Sequence, residues 1–272
     1  MTPTAPPSDD APEPARVAAL RRAGGRLGVP HEHHAVLAST NDRALAWLDA
    51  GAPSGALVTA DAQTRGRGRR GRSFHSDPGA GLYASVVLRF PAGTDVSPLA
   101  LVVGLSLADA LGDVGVCDVR LKWPNDLFVP AGKLGGVLCE AVWRGGAPAV
   151  VAGFGINVHA APDLGEDAPY RAARVADAAG GRPVGRARLL AAALDRLETD
   201  LVSFERGGFA ALRGRYLQRS CTVGRVVTLE GGETVRVLDV DEGGALVVRG
   251  GAGGRRRIAV GEVSLPLDGR GW

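Results

Sequence analysis

The stretch that most constrains this chain is Gly66-Arg67-Gly68-Arg69-Arg70-Gly71-Arg72, four arginines and three glycines in seven residues. Neither a helix interior nor a strand interior suits it. Glycine inside an element loses backbone entropy and packs nothing. Four neighbouring guanidinium groups repel one another unless something anionic sits among them. The glycines let the backbone come close to a ligand, and the guanidinium forks match carboxylate and phosphate oxygens. The stretch therefore reads as an anion-binding loop with no fixed path when empty. Taken alone it reads equally as a solvated basic loop or a nucleic-acid patch, and the rest of the chain has to decide.

At 272 residues the chain has room for one large domain and a small one. Its hydrophobic share of 45% suits a soluble globular protein. A net charge of +3 is too small to argue for nucleic acid on global charge. The basic character is local, in the loop and in Arg255-Arg256-Arg257. Cys117, Cys139 and Cys221 form no close pair, so neither a zinc site nor a disulfide framework is suggested, and they suit a reducing cytoplasm. The start of the chain lacks a basic region followed by an apolar one, and no apolar run reaches membrane-spanning length. The expected location is the cytoplasm, with no membrane partner.

Residues 1–14 are rich in Pro, Ala and Asp and read as a disordered tail, followed by a short helix over 15–22. His31 and His33 share one face of a strand entry while His34 points away; no further ligand group is near, so no metal site is expected. Ser39-Thr40-Asn41 opens a helix carrying Leu45, Trp47 and Leu48. Its hydroxyls either cap the helix or face a ligand. Strands are expected over 56–59, 82–90, 116–122 and 147–153, with a buried helix over 99–111. The strand 116–122 runs into Trp123-Pro124-Asn125-Asp126, where Trp123 is either a core plug or a pocket wall. Lys133 stands at the mouth of an apolar strand, as an edge charge or as a cation for a carboxylate. A helix over 186–204 carries Leu189, Leu190, Leu194, Leu197 and Leu201. Four short strands over 221–229, 233–240, 245–249 and 255–260 indicate a small β-barrel or sandwich. The expected division is 1–14, 15–218 and 219–272.

The loop with Gln63, then Lys122-Trp123-Pro124-Asn125-Asp126, then residues 133–140, then 153–158 occur in one order, with Ser39-Thr40-Asn41 upstream. Together they closely resemble the biotin protein ligases, strongly over about 35–158 and only in general form beyond. The resemblance implies an α+β fold: a mixed sheet flanked by helices, similar to the class II aminoacyl-tRNA synthetase catalytic domain, then a small SH3-like β-barrel. Some members carry an N-terminal winged helix that binds an operator. Only 38 residues precede Ser39, so no repressor role and no DNA partner is expected.

The implied reaction has two steps. Biotin's carboxylate attacks the α-phosphate of ATP, with Mg2+ on the phosphates, giving biotinyl-5′-AMP and pyrophosphate. A lysine of a biotin carboxyl carrier domain of an acyl-CoA carboxylase then takes the biotin. By the resemblance Lys133, Arg67 and Arg69 serve catalysis. Ser39, Thr40, Asn41, Gln63, Arg67, Gly68, Arg69, Lys133, Gly135 and Gly136 contact biotin. Arg67, Arg69, Arg72, Lys122, Trp123, Asn125, Asp126, Ile156 and Asn157 contact ATP or the adenylate, Asn157 reading the adenine. No metal site in the protein itself is implied. The family includes monomers and dimers. Rival readings are a lipoate–protein ligase, a nucleic-acid module using the two arginine clusters, and a fold that only binds biotin.

Overall fold

A computed structural model describes residues 10–165, 168–250 and 253–265. The chain runs α1 (Pro14–Leu20), β1 (His31–Leu37), α2 (Thr40–Asp49), β2 (Leu57–Gln63), β3 (Gly81–Arg89), α3 (Leu99–Asp113), β4 (Arg120–Lys122), β5 (Asp126–Val129), β6 (Gly132–Arg144) and β7 (Ala147–Asn157). It continues with α4 (Val175–Ala178), α5 (Arg186–Gly207), α6 (Ala210–Arg219), β8 (Val226–Leu229), β9 (Thr234–Val240), β10 (Leu246–Arg249), β11 (Arg255–Ile258) and β12 (Val263–Ser264).

The first seven strands form one sheet in the order β1-β2-β3-β7-β6-β5-β4. The β1–β2 pair is parallel and every other neighbouring pair is antiparallel, so the sheet is mixed. Period-two alternation gives each strand two faces. Leu82, Ala84, Val86 and Leu88 of β3 join the core shared with α3 and α5. Val87 points the other way and packs with Ala44 and Leu48 of α2. α3 is apolar nearly all round because it lies between this sheet and α5. α5 presents Leu189, Leu190, Leu194, Leu197, Leu201 and Phe204 as one buried stripe. Truncating Leu194 to alanine there costs about 2–5 kcal/mol.

Several expectations are corrected. The strand expected over 116–122 is regular only from Arg120, because Asp118 adopts a positive φ of 55° that breaks the pleat. Residues 1–9 of the expected tail lie outside the described residues. Asp10 and Ala11 are buried, and α1 already begins at Pro14. The reason is charge: Asp10 accepts from Arg186 Nε at 2.9 Å and meets His159 Nε2 at 2.5 Å. These bonds outweigh the burial that raises its pKa, and hold the carboxyl at about 2.

The last five strands form an antiparallel sheet in the order β11-β10-β9-β8-β12. β11 and β12 stand at the two ends of this order among the described residues. This sheet is seated against the first. Cys221 N donates to Leu121 O at 3.0 Å, and Trp123 N donates to Thr222 Oγ1 at 3.0 Å.

Candidate active site

A cleft of about 510 Å³ opens between the α2 face of the mixed sheet, the arginine loop and the end of the second sheet. That volume suits a small-molecule site. One wall begins at α2. Ser39 precedes the helix, makes no capping bond and lines the cleft. Behind it the side chains are fixed to one another. Gln63 Oε1 accepts from Thr40 N at 2.8 Å and from Thr40 Oγ1 at 3.1 Å. Ser85 Oγ donates to Asn41 Oδ1 at 2.6 Å, and Asn41 Nδ2 donates to Glu140 Oε2 at 2.7 Å. Asn41 fits only because Gly153 lies beneath it: a Cβ there would stand 1.9 Å from Asn41 Oδ1. A polar network satisfied in this way is rigid before any ligand arrives.

The opposite end is cationic. The β4–β5 reversal puts Lys122 and Asp126 across from each other in register. Asp126 Oδ1 lies 2.6 Å from Lys133 Nζ on β6, and its Oδ2 lies 3.5 Å from Lys122 Nζ. One carboxylate thus holds two ammonium groups. Burial pulls the Lys133 ammonium down, but Asp126 and Tyr170 outweigh it and raise its pKa above the ordinary lysine value. Lys122 moves the other way: burial, with Lys133 beside it, lowers its pKa despite Asp126. Gly136 leaves this corner open, since a Cβ would sit 3.3 Å from Asp126 Oδ1. Only two of the chain's 32 Lys and Arg residues are lysines, and they are these two. A chain that uses arginine for every other cation keeps the compact amine where two charges share one carboxylate.

The arginine loop closes the third side. The anion the sequence demanded is present here: carboxylates of the protein supply it. Arg67 pairs with Asp42 at 2.7 Å and with Glu140 at 2.8 Å. Arg70 pairs with Glu230, and Arg72 with Glu262. Arg69 donates to Gly261 O at 3.1 Å, and burial lowers its pKa. Arg70 takes a left-handed φ of 57° between the turns.

Ser39, Thr40, Asn41, Gln63, Arg67, Gly68, Arg69, Arg72, Lys122, Asn125, Asp126, Lys133 and Gly136 therefore all line one cleft. Four expected residues do not. Trp123 is 2% exposed and turns away to donate its Nε1–H to Gly244 O at 3.0 Å. Asn157 is buried, donates to Ala173 O at 3.1 Å and does not line the cleft. Ile156 is fully buried in the core beneath β7. Gly135 serves sheet packing, since a Cβ would lie 2.1 Å from Gly155 O.

Other lining residues were not anticipated: Phe74, Phe154, Tyr170 and residues 262–265. Lys133 Nζ stands 5.3 Å from the Tyr170 ring centroid, and Tyr170 meets Phe128 edge-on at 5.4 Å. Among the described residues, no group of three or more His, Cys, Asp or Glu side chains is placed to hold a metal. No helix among them is long and apolar enough to cross a membrane.

A ligase of the acyl-adenylate kind needs such a cleft, with a rigid polar end for an acid's head and cations where two anions meet. Residues 34–157 match the biotin/lipoate A/B protein ligase family. A biotin–[acetyl-CoA-carboxylase] ligase of Paracoccus denitrificans is 36% identical over 83% of this chain and 96% of its own length. A ligase of the same name from Mycobacterium tuberculosis is 34% identical, over 76% and 79%. The Aquifex aeolicus biotin protein ligase, solved in complex with biotin and ATP, superposes with a TM-score of 0.72 at 30% identity, over 86% of this chain and 97% of that one. The chain belongs to this family of ligases, and within it to the biotin protein ligases.

Proposed function

We propose that this chain activates biotin with MgATP as biotinyl-5′-AMP and transfers the biotin to a lysine of a biotin carboxyl carrier domain. The observation that carries the reading is the cleft itself: a fixed polar end at Ser39–Gln63, and Lys122 and Lys133 gathered on Asp126 at the other. Magnesium enters here with the nucleotide, as part of the substrate.

In the first step a carboxylate oxygen of biotin attacks the α-phosphorus, a P–O bond forms, and pyrophosphate leaves. Two anions must approach, and Lys133 with the arginine loop lowers that repulsion. Lys133 stays charged through neutral pH because Asp126 raises its pKa. Ser39, Thr40, Asn41 and Gln63 orient the polar head of biotin, and the loop, once rearranged over the ligand, excludes water from the mixed anhydride. In the second step an acceptor amine attacks the acyl carbon, AMP leaves, and the amine gives up a proton. Asp126, flanked by two cations, orients the incoming amine. The same reading carries the synthetase-like form of the mixed sheet, the SH3-like form of the second one, a cytoplasmic location and the lack of a repressor role.

Pyrophosphate release from MgATP tests this with biotin or lipoate as the acid. Biotin-dependent release, followed by labelling of a carboxyl carrier domain, is expected. Release with lipoate alone moves the chain to the sister activity. Release with neither acid, from folded protein, removes the adenylation step.

A further inference from the structure

We propose that Trp123 is a positioning residue: its indole pins the second sheet to the corner that carries Lys122 and Asp126, and so fixes the far wall of the cleft. The inference rests on the proposed adenylation activity for its kinetic readout, and on geometry for the rest.

Three bonds join the corner to the second sheet. Two of them, Cys221 N to Leu121 O and Trp123 N to Thr222 Oγ1, grip the chain directly after α6. They hold the connection, and Arg213 of α6 holds β9 from the side, donating to Val240 O at 2.6 Å. The third differs. Trp123 Nε1 reaches the Gly244 carbonyl, in the turn between β9 and β10, at 3.0 Å. That turn is seated closely. Gly244 has a φ of +82°, and a Cβ there would lie 2.8 Å from Pro98 Cβ and 2.9 Å from Leu101 Cδ1 at the start of α3. The indole is 2% exposed, so water does not replace a lost partner easily.

Elsewhere the same sheet forms part of the cleft. Residues 262–265 line it, Gly261 O accepts from Arg69, and Glu262 and Glu230 pair with Arg72 and Arg70. The Arg70 and Arg72 pairs are exposed and weak individually, and the Arg69 bond is half-buried. They do not set the orientation of the sheet; they follow it. The buried tryptophan bond is the one that ties the body of the sheet to the corner itself, and it lies one residue from Lys122. This accounts for a tryptophan inside a polar motif that never faces the cleft.

The test is Trp123→Phe, which keeps the ring and removes the donor. Steady-state pyrophosphate release should show a KM for ATP raised roughly tenfold, the scale of one lost hydrogen bond, with kcat within about threefold. Gly244→Ala, which moves the acceptor instead, should reproduce that split. The double variant should be less than additive. Leu194→Ala is the control for stability alone, since its buried side chain sits on α5 beside Gly28, at the far side from the corner; it should lower the melting midpoint and leave the KM for ATP in place. Hydrogen exchange gives a readout without activity. Trp123→Phe should speed exchange in residues 66–72 and 226–265 while α5 keeps its protection. A wild-type KM for ATP and unchanged exchange in Trp123→Phe overturn the proposal. So does an equal rise in KM in Leu194→Ala. Wild type that releases no pyrophosphate sinks the functional reading alone, and the exchange comparison still decides the role of Trp123.

Discussion

Two cationic regions face the same cleft, and they are built in opposite ways. In the corner, Lys122 and Lys133 have side chains 11% and 21% exposed and meet one carboxylate. In the loop, the Arg67, Arg70 and Arg72 side chains are 37%, 39% and 67% exposed and each meets at least one carboxylate, while the half-buried Arg69 donates to a backbone carbonyl. Charges out of water are fixed, strongly coupled and costly to disturb. Charges in water are screened and exchange partners cheaply. The corner is therefore the preorganised part of the site. The loop is the part that trades protein carboxylates for a ligand.

The largest expected effect comes from breaking the corner. Asp126→Asn leaves two buried ammonium groups without their counter-charge. Biotin-dependent pyrophosphate release should fall about a hundredfold or more. Asp126 raises the Lys133 pKa against burial, so its loss lets burial win. Lys133 then loses its proton at lower pH, and the alkaline limb of the pH–rate profile should move down; an unmoved limb would separate the limb from Lys133.

Lys133→Arg sharpens the contrast between point charge and fork. Arginine keeps the charge but not the compact amine, in a chain where arginine is otherwise universal. The expected loss in kcat/KM is about thirtyfold, and near-wild-type kinetics would make any cation sufficient.

A buried carboxylate away from the cleft tests the same physics on stability. Asp10 has a folded pKa of about 2 against an ordinary 3.8. Its folded value is depressed, so its contribution of about 2 kcal/mol is present above pH 4 and is lost as pH falls from about 4 to 2. Asp10→Asn should lower stability at pH 7 and flatten that acid-side slope in denaturant titrations. A variant with the wild-type slope would assign the slope to other groups.

The smallest effect belongs to the exposed loop. Arg70→Ala loses only the Glu230 pair, so the KM for ATP should change less than about threefold, and the melting midpoint hardly at all. The wild-type KM for ATP should rise with salt, because the loop's charges are screened.

Much of this was legible from residues. The arginine and glycine run demanded anions, and the structure supplies them. Lys122-Trp123-Pro124-Asn125-Asp126 read as a sharp polar corner, which it is. What the residues did not say was direction. Trp123 read equally well as a core plug or as a pocket wall, and only the partner 121 residues away, Gly244, settled it. Asn157 was misplaced for the same reason: a terminal strand residue faces one side or the other, and here it meets Ala173. Tyr170 carried no local signal, since it lies in an irregular stretch and reaches Lys133 only through tertiary packing. The pair of lone lysines was visible in the sequence. An arginine-rich composition makes each remaining lysine informative.

The central claim is that the buried corner, more than the loop, brings the two anions together. The direct measurement is biotin-dependent pyrophosphate release by wild type, Lys133→Ala and Arg69→Ala under saturating MgATP. The account predicts a loss of about a thousandfold for Lys133→Ala. For Arg69→Ala it predicts about tenfold, with both proteins folded. Equal losses, or a larger one for Arg69→Ala, would contradict it and move the chemistry to the loop.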